Sequence, residues 1–330
     1  MSSVTSSKII IDPVTRIEGH SKITIHLGEQ GEVTDAQFHV TQFRGFERIV
    51  QGRPIHEMPS IMARICGICP VSHLVASAKA CDEIMAVEPP PTGIDLRRVM
   101  NLAQIVQSNA LSFFHLSSPD LLFGFDAEVA KRNIIGLAAA NPQLARDGVG
   151  VRRFGQQIIE WLGGKRIHPS WVVPGGVDAP LTADVRDRIV ASIPEAIRAI
   201  EGALAWYKSS VHQWAEEAAV FGDFRSGFMG LVDEDGNVDH YGGSLRVMDA
   251  DGAMLADRID PAHLPGLPRR SRRALVLPEV DVLEGPRLPG RRLPGRSAGP
   301  THRRRPARDA TRGSRAARVP GDARPRSEQL

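Results

Sequence analysis

Cys66 and Cys69 stand with two residues between them in the run Arg64-Ile-Cys66-Gly-Ile-Cys69-Pro-Val-Ser-His73. Two thiols at that spacing form half of a metal or redox site. A zinc or nickel centre takes about four protein ligands, and the only other cysteine in the chain is Cys81. The spacing by itself fits half of a structural zinc site as well as half of another soft-metal site. A thioredoxin-like redox pair fits less well, because no βαβ pattern surrounds it. His73 follows Cys69 by four residues, one helical turn, so its ring can lie beside the thiolates. Arg64 is placed to offset their charge, and Gly67 to allow close backbone approach.

Three further segments concentrate polar groups. Asp12-Pro-Val-Thr-Arg16-Ile-Glu18-Gly-His20 follows a β-branched run. Phe43-Arg-Gly-Phe-Glu47 sets a carboxylate after a glycine turn, and His168-Pro169 precedes Pro174-Gly-Gly176 in a fourth loop. Taken singly, the first two of these read as a solvated turn and a surface ion pair. His26, His39 and His115 read as structural histidines.

These residues need elements to position them. Lys8–Ile11, Lys22–His26 and Glu32–Val40 carry the β-branched and alternating patterns of strands, with a turn at Gly28–Gly31. A helical pattern begins near Ile61, behind Pro59-Ser60, and after Cys69 places Val71, Leu74, Val75 and Ala78 at helical spacing. Glu88–Gly93 breaks it. Asp95–Ser117 reads as a long helix with Leu102, Ile105, Val106, Leu111 and Phe114 on its apolar face, ended by Pro119-Asp120. A Gly/Pro-rich break spans 163–176. Residues 182–221 read as one long helix or two abutting ones, and 222–251 as a loop and short hairpin turning at Asp235-Gly236. The fold class expected is mainly α with a small β-rich N-terminal part, an α+β arrangement.

Composition splits the chain at Ala262/His263. From His263 to Leu330 there are 17 Arg, no Lys and 6 acidic residues, a balance of +11 that leaves −8 of the overall +3 for residues 1–262. The same tail holds 10 of the 24 prolines and no aromatic residue, Ile, Met, Cys or Asn. So little apolar material offsets the entropy of ordering it poorly, and disorder is expected. A zinc-binding scaffold whose basic tail binds nucleic acid is one reading of this layout. No apolar run is long enough for a membrane span. The start, MSSVTSSK, lacks the apolar stretch of a secretory signal, so a cytoplasmic protein with reduced thiols is expected.

Taken together, IDPVTRIEGH, FRGFE, RICGICPVSH, ALSFFHLSSPD and KRIHPSWVVPGG resemble, in that order, the large subunit of nickel–iron hydrogenases. The similarity is strongest to the cytoplasmic bidirectional, NAD-reducing type and covers residues 8–262. The related respiratory complex I subunit lacks the cysteine pair. The resemblance implies roles for particular residues. Cys66 would be a terminal nickel ligand, and Cys69 a thiolate bridging nickel to an iron that carries CO and cyanide. His73 would donate near the bridging sulfur, with Arg64 beside the pair. Glu18 would carry protons away from the metals, and Glu47 would ligate magnesium. Asn109 stands where the family has histidine. Iron–sulfur clusters and flavin would sit on partner chains, namely the diaphorase subunits and the hydrogenase small subunit. Maturation proteins would insert the metals, and H2 would be the substrate. The acceptor would be NAD or, in a related cytoplasmic hydrogenase, NADP or a heterodisulfide reductase. Neither a specific nucleic acid nor a membrane is an expected partner.

The family's second cysteine pair has no counterpart here. Back-translated and read one nucleotide later, Gly290–Pro300 becomes Ala-Gly-Val-Tyr-Arg-Val-Gly-Pro-Leu-Ala-Arg, a segment of the family's kind. His263–Val276 shifts similarly. The expectation is therefore a hydrogenase core over 1–262, a tail over 263–330 read out of frame with the C-terminal part missing, and no turnover from the 330-residue chain.

Overall fold

The computed structural model describes residues 7–261. The expected boundary at Ala262/His263 and the tail 263–330 lie outside the described residues. Strands β1 (Ser7–Ile11), β2 (Ser21–Leu27) and β3 (Val33–Val40) form an antiparallel sheet in sequence order, as the β-branched runs indicated. The β2–β3 turn closes through Gly28 N–H to Glu32 O at 2.8 Å, with Gly31 at φ +81°, a value that favours glycine. Ser21 and Thr24 of β2 are buried, whereas Ile9, Ile10 and Ile11 of β1 are exposed.

Short helices α1 (Phe46–Ile49) and α2 (Met58–Met62) lead through a 3₁₀ turn at Ala63–Ile65 to the cysteine loop, so the helical pattern is interrupted there. Helix α3 (Pro70–Met85) then starts with proline in its first turn, where the missing N–H costs nothing. It buries Val71, Leu74, Val75, Ala78 and Cys81. Val87 N–H reaches back to Asp82 O at 2.9 Å and ends the helix ahead of the prolines.

Helix α4 (Pro91–Ala110) carries the main departure from expectation. Leu102, assigned above to the apolar face, is 49 % exposed. The inward face holds Leu96, Met100 and Ala103, and with them Arg97, Asn101, Gln104 and Gln107. The chain widens into a π-helix over Leu111–Ser117 and continues as α5 (Ser118–Phe123). Pro119 sits in the first turn of α5 and so begins a helix where an end was expected.

After α6 (Ile134–Ala140), helix α7 (Pro142–Gly163) buries Leu144, Gly148, Val151, Gly155, Ile158 and Leu162, a regular three–four alternation along one seam. A side chain at Gly155 would meet Ala103 O at 2.5 Å and Gln107 Cβ at 2.8 Å. One at Gly148 would meet Phe114 Cβ at 2.5 Å. These two glycines let α7 lie close against α4 and the π-helix. Gly155→Ala is therefore expected to lower the unfolding free energy by about 1–3 kcal/mol, an overpacking cost that outweighs alanine's better helix propensity. Urea titration of the two proteins checks it, and equal midpoints would contradict it.

The hairpin β4 (Val172–Val173) and β5 (Gly176–Val177) packs its Val172 into the core beside α3 and α4. Helix α8 (Ala183–Ser210), capped by Thr182 Oγ1, runs through a 3₁₀ turn into α9 (Ala215–Val220), as expected for 182–221. Strands β6 (Phe228–Val232), β7 (Ser244–Met248) and β8 (Met254–Ile259) form a second antiparallel sheet. Directly after β6 the chain reverses through the Asp233–Asn237 turn that contains Asp235-Gly236.

Candidate metal centre

The cysteine loop connects two helical segments. Cys66 is extended (φ −137°, ψ 136°), and Cys69 is the residue from which α3 starts. The Cys69 N–H donates to Cys66 Sγ at 3.1 Å, so the loop folds its second cysteine back over the first. His73 lies one turn into α3. The two sulfurs and an imidazole nitrogen all fall within 4.8 Å of one another. Cys66 is 8 % exposed.

Burial sets the protonation of this cluster. It pushes the Cys69 thiol up to about 12, with further increments from its hydrogen bond to Cys66 and from the charges of Cys66 and Glu18. Burial also lowers His73 below the ordinary imidazole range, which keeps the ring neutral and its lone pair available. Metal entry must displace the Cys69 proton. Nickel(II) affinity is therefore expected to rise with pH between about 6 and 9, roughly tenfold per unit for each proton displaced. Competition with a chromogenic chelator under anaerobic conditions reads this slope, and a flat profile would refute it.

Glu18 arrives from the N-terminal segment, its Oε1 3.2 Å from Cys66 Sγ. The turn that delivers it is held at both ends. Arg16 (φ +57°) forks onto Asp120 of α5 at 2.7 and 3.0 Å and also donates to Leu116 O at 3.0 Å. Gly19 (φ +82°) has a left-handed backbone that favours glycine, and a side chain there would displace the Gln42 amide. The oxygen of that amide accepts the His20 N–H.

The other expected residues stand differently. Arg64 folds back one helical turn, its guanidinium on Ser60 Oγ at 2.9 Å. A side chain at Gly67 would meet open space, so close packing is not the reason for that glycine. Glu47 is exposed on α1 and outside the Cys66–Cys69–His73 cluster. Asn109 is exposed and lines an apolar cavity of about 350 Å³ beside Phe113 and Tyr207. His168 (φ +54°) places Nδ1 2.9 Å from Ala63 O, bracing the 3₁₀ turn before Cys66. Cys81 is buried apart from the pair, its thiol 3.5 Å from Ile55 O.

Sequence reasoning missed the buried polar face of α4. Arg97 has no exposed surface and pairs with Asp82 of α3 at 2.6 Å. Gln104 and Gln107 both donate to Ile68 O inside the cysteine loop. Polar residues at helical spacing (97, 101, 104, 107) were the available signal.

Two thiols and a neutral imidazole, converging beside a carboxylate, make a soft donor set of the kind nickel and low-spin iron accept. The residues present therefore fit such a centre, framed by the helices and loop around them. The nickel-dependent hydrogenase family matches residues 44–133, and a HoxL-like pattern matches residues 8–43. The chain is 41% identical over 264 residues to the beta subunit of the NAD-reducing hydrogenase HoxS of Cupriavidus necator, covering 76% of this chain and 54% of the relative. It is 40% identical over 245 residues to a chain of the F420-non-reducing hydrogenase vhu of Methanocaldococcus jannaschii, covering 74% of this chain and 58% of the relative. The crystal structure of an NAD+-reducing [NiFe]-hydrogenase in the H2-reduced state superposes with a TM-score of 0.75 at 45% identity, covering 77% of this chain and 57% of that one. The chain belongs to the nickel-dependent hydrogenase large-subunit family. It spans little more than half the length of these relatives.

Proposed function

We propose that this chain supplies the N-terminal half of the metal site in a hydrogenase large subunit that interconverts H2 with protons and electrons. The observation that carries the reading is the Glu18 carboxylate 3.2 Å from a buried cysteine sulfur that converges with a second thiol and an imidazole. Cys66 and Cys69 would be the residues of this chain that hold the nickel and its companion iron, whose CO and cyanide ligands the chain does not supply. Bound there, the metal pair would supply the soft Lewis-acid centre at which H2 is polarised. The chain's own residues do the rest. The proton released when H2 is split would be taken up at Cys66 Sγ and passed to Glu18 Oε1, which, on an exposed turn, hands it outward. His73 donates toward the sulfurs. Arg64 can swing from Ser60 to offset their charge.

The proposed surroundings are those that the resemblance of the sequence motifs to the family implies. Electrons leave through iron–sulfur clusters on a small subunit toward flavin-bearing diaphorase subunits and NAD. The other acceptors considered are NADP and a heterodisulfide reductase. Maturation proteins insert the metals, magnesium sits at Glu47, and the assembly is cytoplasmic. Among the described residues no helix is long and apolar enough to cross a membrane.

The test is H2-dependent dye reduction by two versions of the gene, each expressed with the maturation set and the small subunit. One encodes the 330 residues, and the other is shifted into frame after Ala262. The shifted version is expected to turn over and the 330-residue version to be silent, because Cys66 and Cys69 are two thiolates where the centre needs four. In the active version Glu18→Gln is expected to keep its nickel and lose about 10²–10⁴-fold in rate. Activity in the unshifted version would refute the out-of-frame reading. Full activity of Glu18→Gln would refute the proton route.

A further inference from the structure

We propose that Gln104 and Gln107 are positioning residues for the thiolate pair, acting through the peptide that joins Ile68 to Cys69; this rests on the metal-site reading above. The two glutamines lie three residues apart on the inward face of α4 and are 1 % and 3 % exposed. Each aims its Nε2 at one acceptor, the Ile68 carbonyl, at 2.8 and 2.6 Å. That carbonyl stands between the two cysteines, and a carbonyl's two lone pairs can take both donors.

The planarity of the peptide carries the effect across. The Ile68 C=O and the Cys69 N–H belong to one rigid trans unit, so they point in opposite directions. Gripping the oxygen from α4 therefore aims the N–H, and that N–H is the one that donates to Cys66 Sγ at 3.1 Å. Two donors on the oxygen also polarise the unit and strengthen its N–H as a donor. The clamp thus fixes where Cys69 leaves the loop and how much electron density Cys66 keeps for a metal.

Stability does not account for these residues. Gln104 Oε1 is buried with no partner among the described residues, and an orphaned acceptor is a cost that a leucine would not carry. The approach of α7 is part of the same arrangement, since Gly155 is what leaves space for the Gln107 stem.

Nickel(II) and cobalt(II) are the probes, added to the reduced 330-residue chain without oxygen. Gln104→Met and Gln107→Met remove the donors at nearly constant volume, singly and together. The double variant is expected to bind nickel(II) about 10–100-fold more weakly. Its sulfur-to-cobalt charge-transfer band is expected to shift, with each single variant between. Met100→Leu, on the same helix face, should move neither. In the metal-free wild-type chain the Cys69 amide should exchange its hydrogen slowly, and in the double variant at least about tenfold faster.

Affinities within about threefold of wild type with an unmoved band would overturn the proposal. So would a wild-type Cys69 amide that exchanges as fast as an open loop, a measurement that decides the matter even where a variant fails to fold. A wild-type chain that takes neither metal refutes the metal-site reading instead, and the Cys69 amide then still decides the clamp.

Discussion

Arg97→Met is expected to lower the unfolding free energy by about 3–5 kcal/mol, the cost of leaving one partner of a buried ion pair uncompensated. Arg97 has no exposed surface. Its guanidinium contacts the Asp82 carboxylate at 2.6 and 3.4 Å, Gly176 O at 2.9 Å, Val173 O at 2.6 Å and the Tyr241 hydroxyl at 3.3 Å. One side chain thereby joins α3, α4, the β4–β5 hairpin and the β6–β7 loop. Methionine fills much of the volume but leaves a buried carboxylate and two carbonyls without their donor. Asp82 would keep only the Gly175 N–H at 2.7 Å. Removing Asp82 as well, in Arg97→Met/Asp82→Leu, should recover part of the loss, because no charge then remains buried. Urea unfolding followed by circular dichroism measures both variants. A loss below about 1 kcal/mol for the single variant would mean that the pair contributes no more than an exposed one.

Cys66→Ser and Cys69→Ser are each expected to weaken nickel(II) binding by at least about 100-fold, the upper end of what loss of an outer partner alone costs. Serine's hydroxyl is a hard oxygen that keeps its proton, whereas the site offers soft sulfur. One thiol would then remain as the only soft donor of the pair. Cys81→Ser is the control, since Cys81 is buried near Ile55 and outside the cluster. It should leave affinity unchanged and cost only modest stability. Equilibrium dialysis with elemental analysis gives all three values. Affinity surviving in both Cys66→Ser and Cys69→Ser would place the metal elsewhere.

The parts of this molecule legible in its sequence are those whose determinants are local. Cys66, Cys69 and His73 are brought together by one loop and the first turn of one helix, so spacing alone brings their donor atoms within 4.8 Å of one another. The N-terminal strands follow from their β-branched runs. Helix α4 was harder, because its covered face mixes Leu96, Met100 and Ala103 with polar residues. Leu102 faces solvent while Arg97, Gln104 and Gln107 are buried. Periodicity finds a helix but cannot say which face is covered when the covered face serves a site. Helix α7 escaped notice because Gly148 and Gly155 interrupt its apolar seam, at the two positions where α4 and Phe114 come too close for a side chain. Arg64 was expected at the thiolates, yet a serine one turn upstream offers a nearer partner. The Arg16–Asp120 clasp joins residues 104 apart, and no local pattern encodes it.

That clasp has a bearing on the order in which the protein is built. Cys66 leaves the ribosome only 48 residues after Glu18, its carboxylate partner, but Asp120, which anchors the Glu18 turn, follows some fifty residues later still. Closing the larger loop costs little more than closing the smaller, about 0.6 kcal/mol per doubling of length. Time is the scarcer quantity. At about 5–20 residues per second, the thiols are synthesised roughly 3–10 s before the residue that pins their acidic cover exists. During that interval Cys66 and Cys69 are nascent-chain thiols with no fixed carboxylate above them, open to an arriving metal carrier and to an oxidant alike.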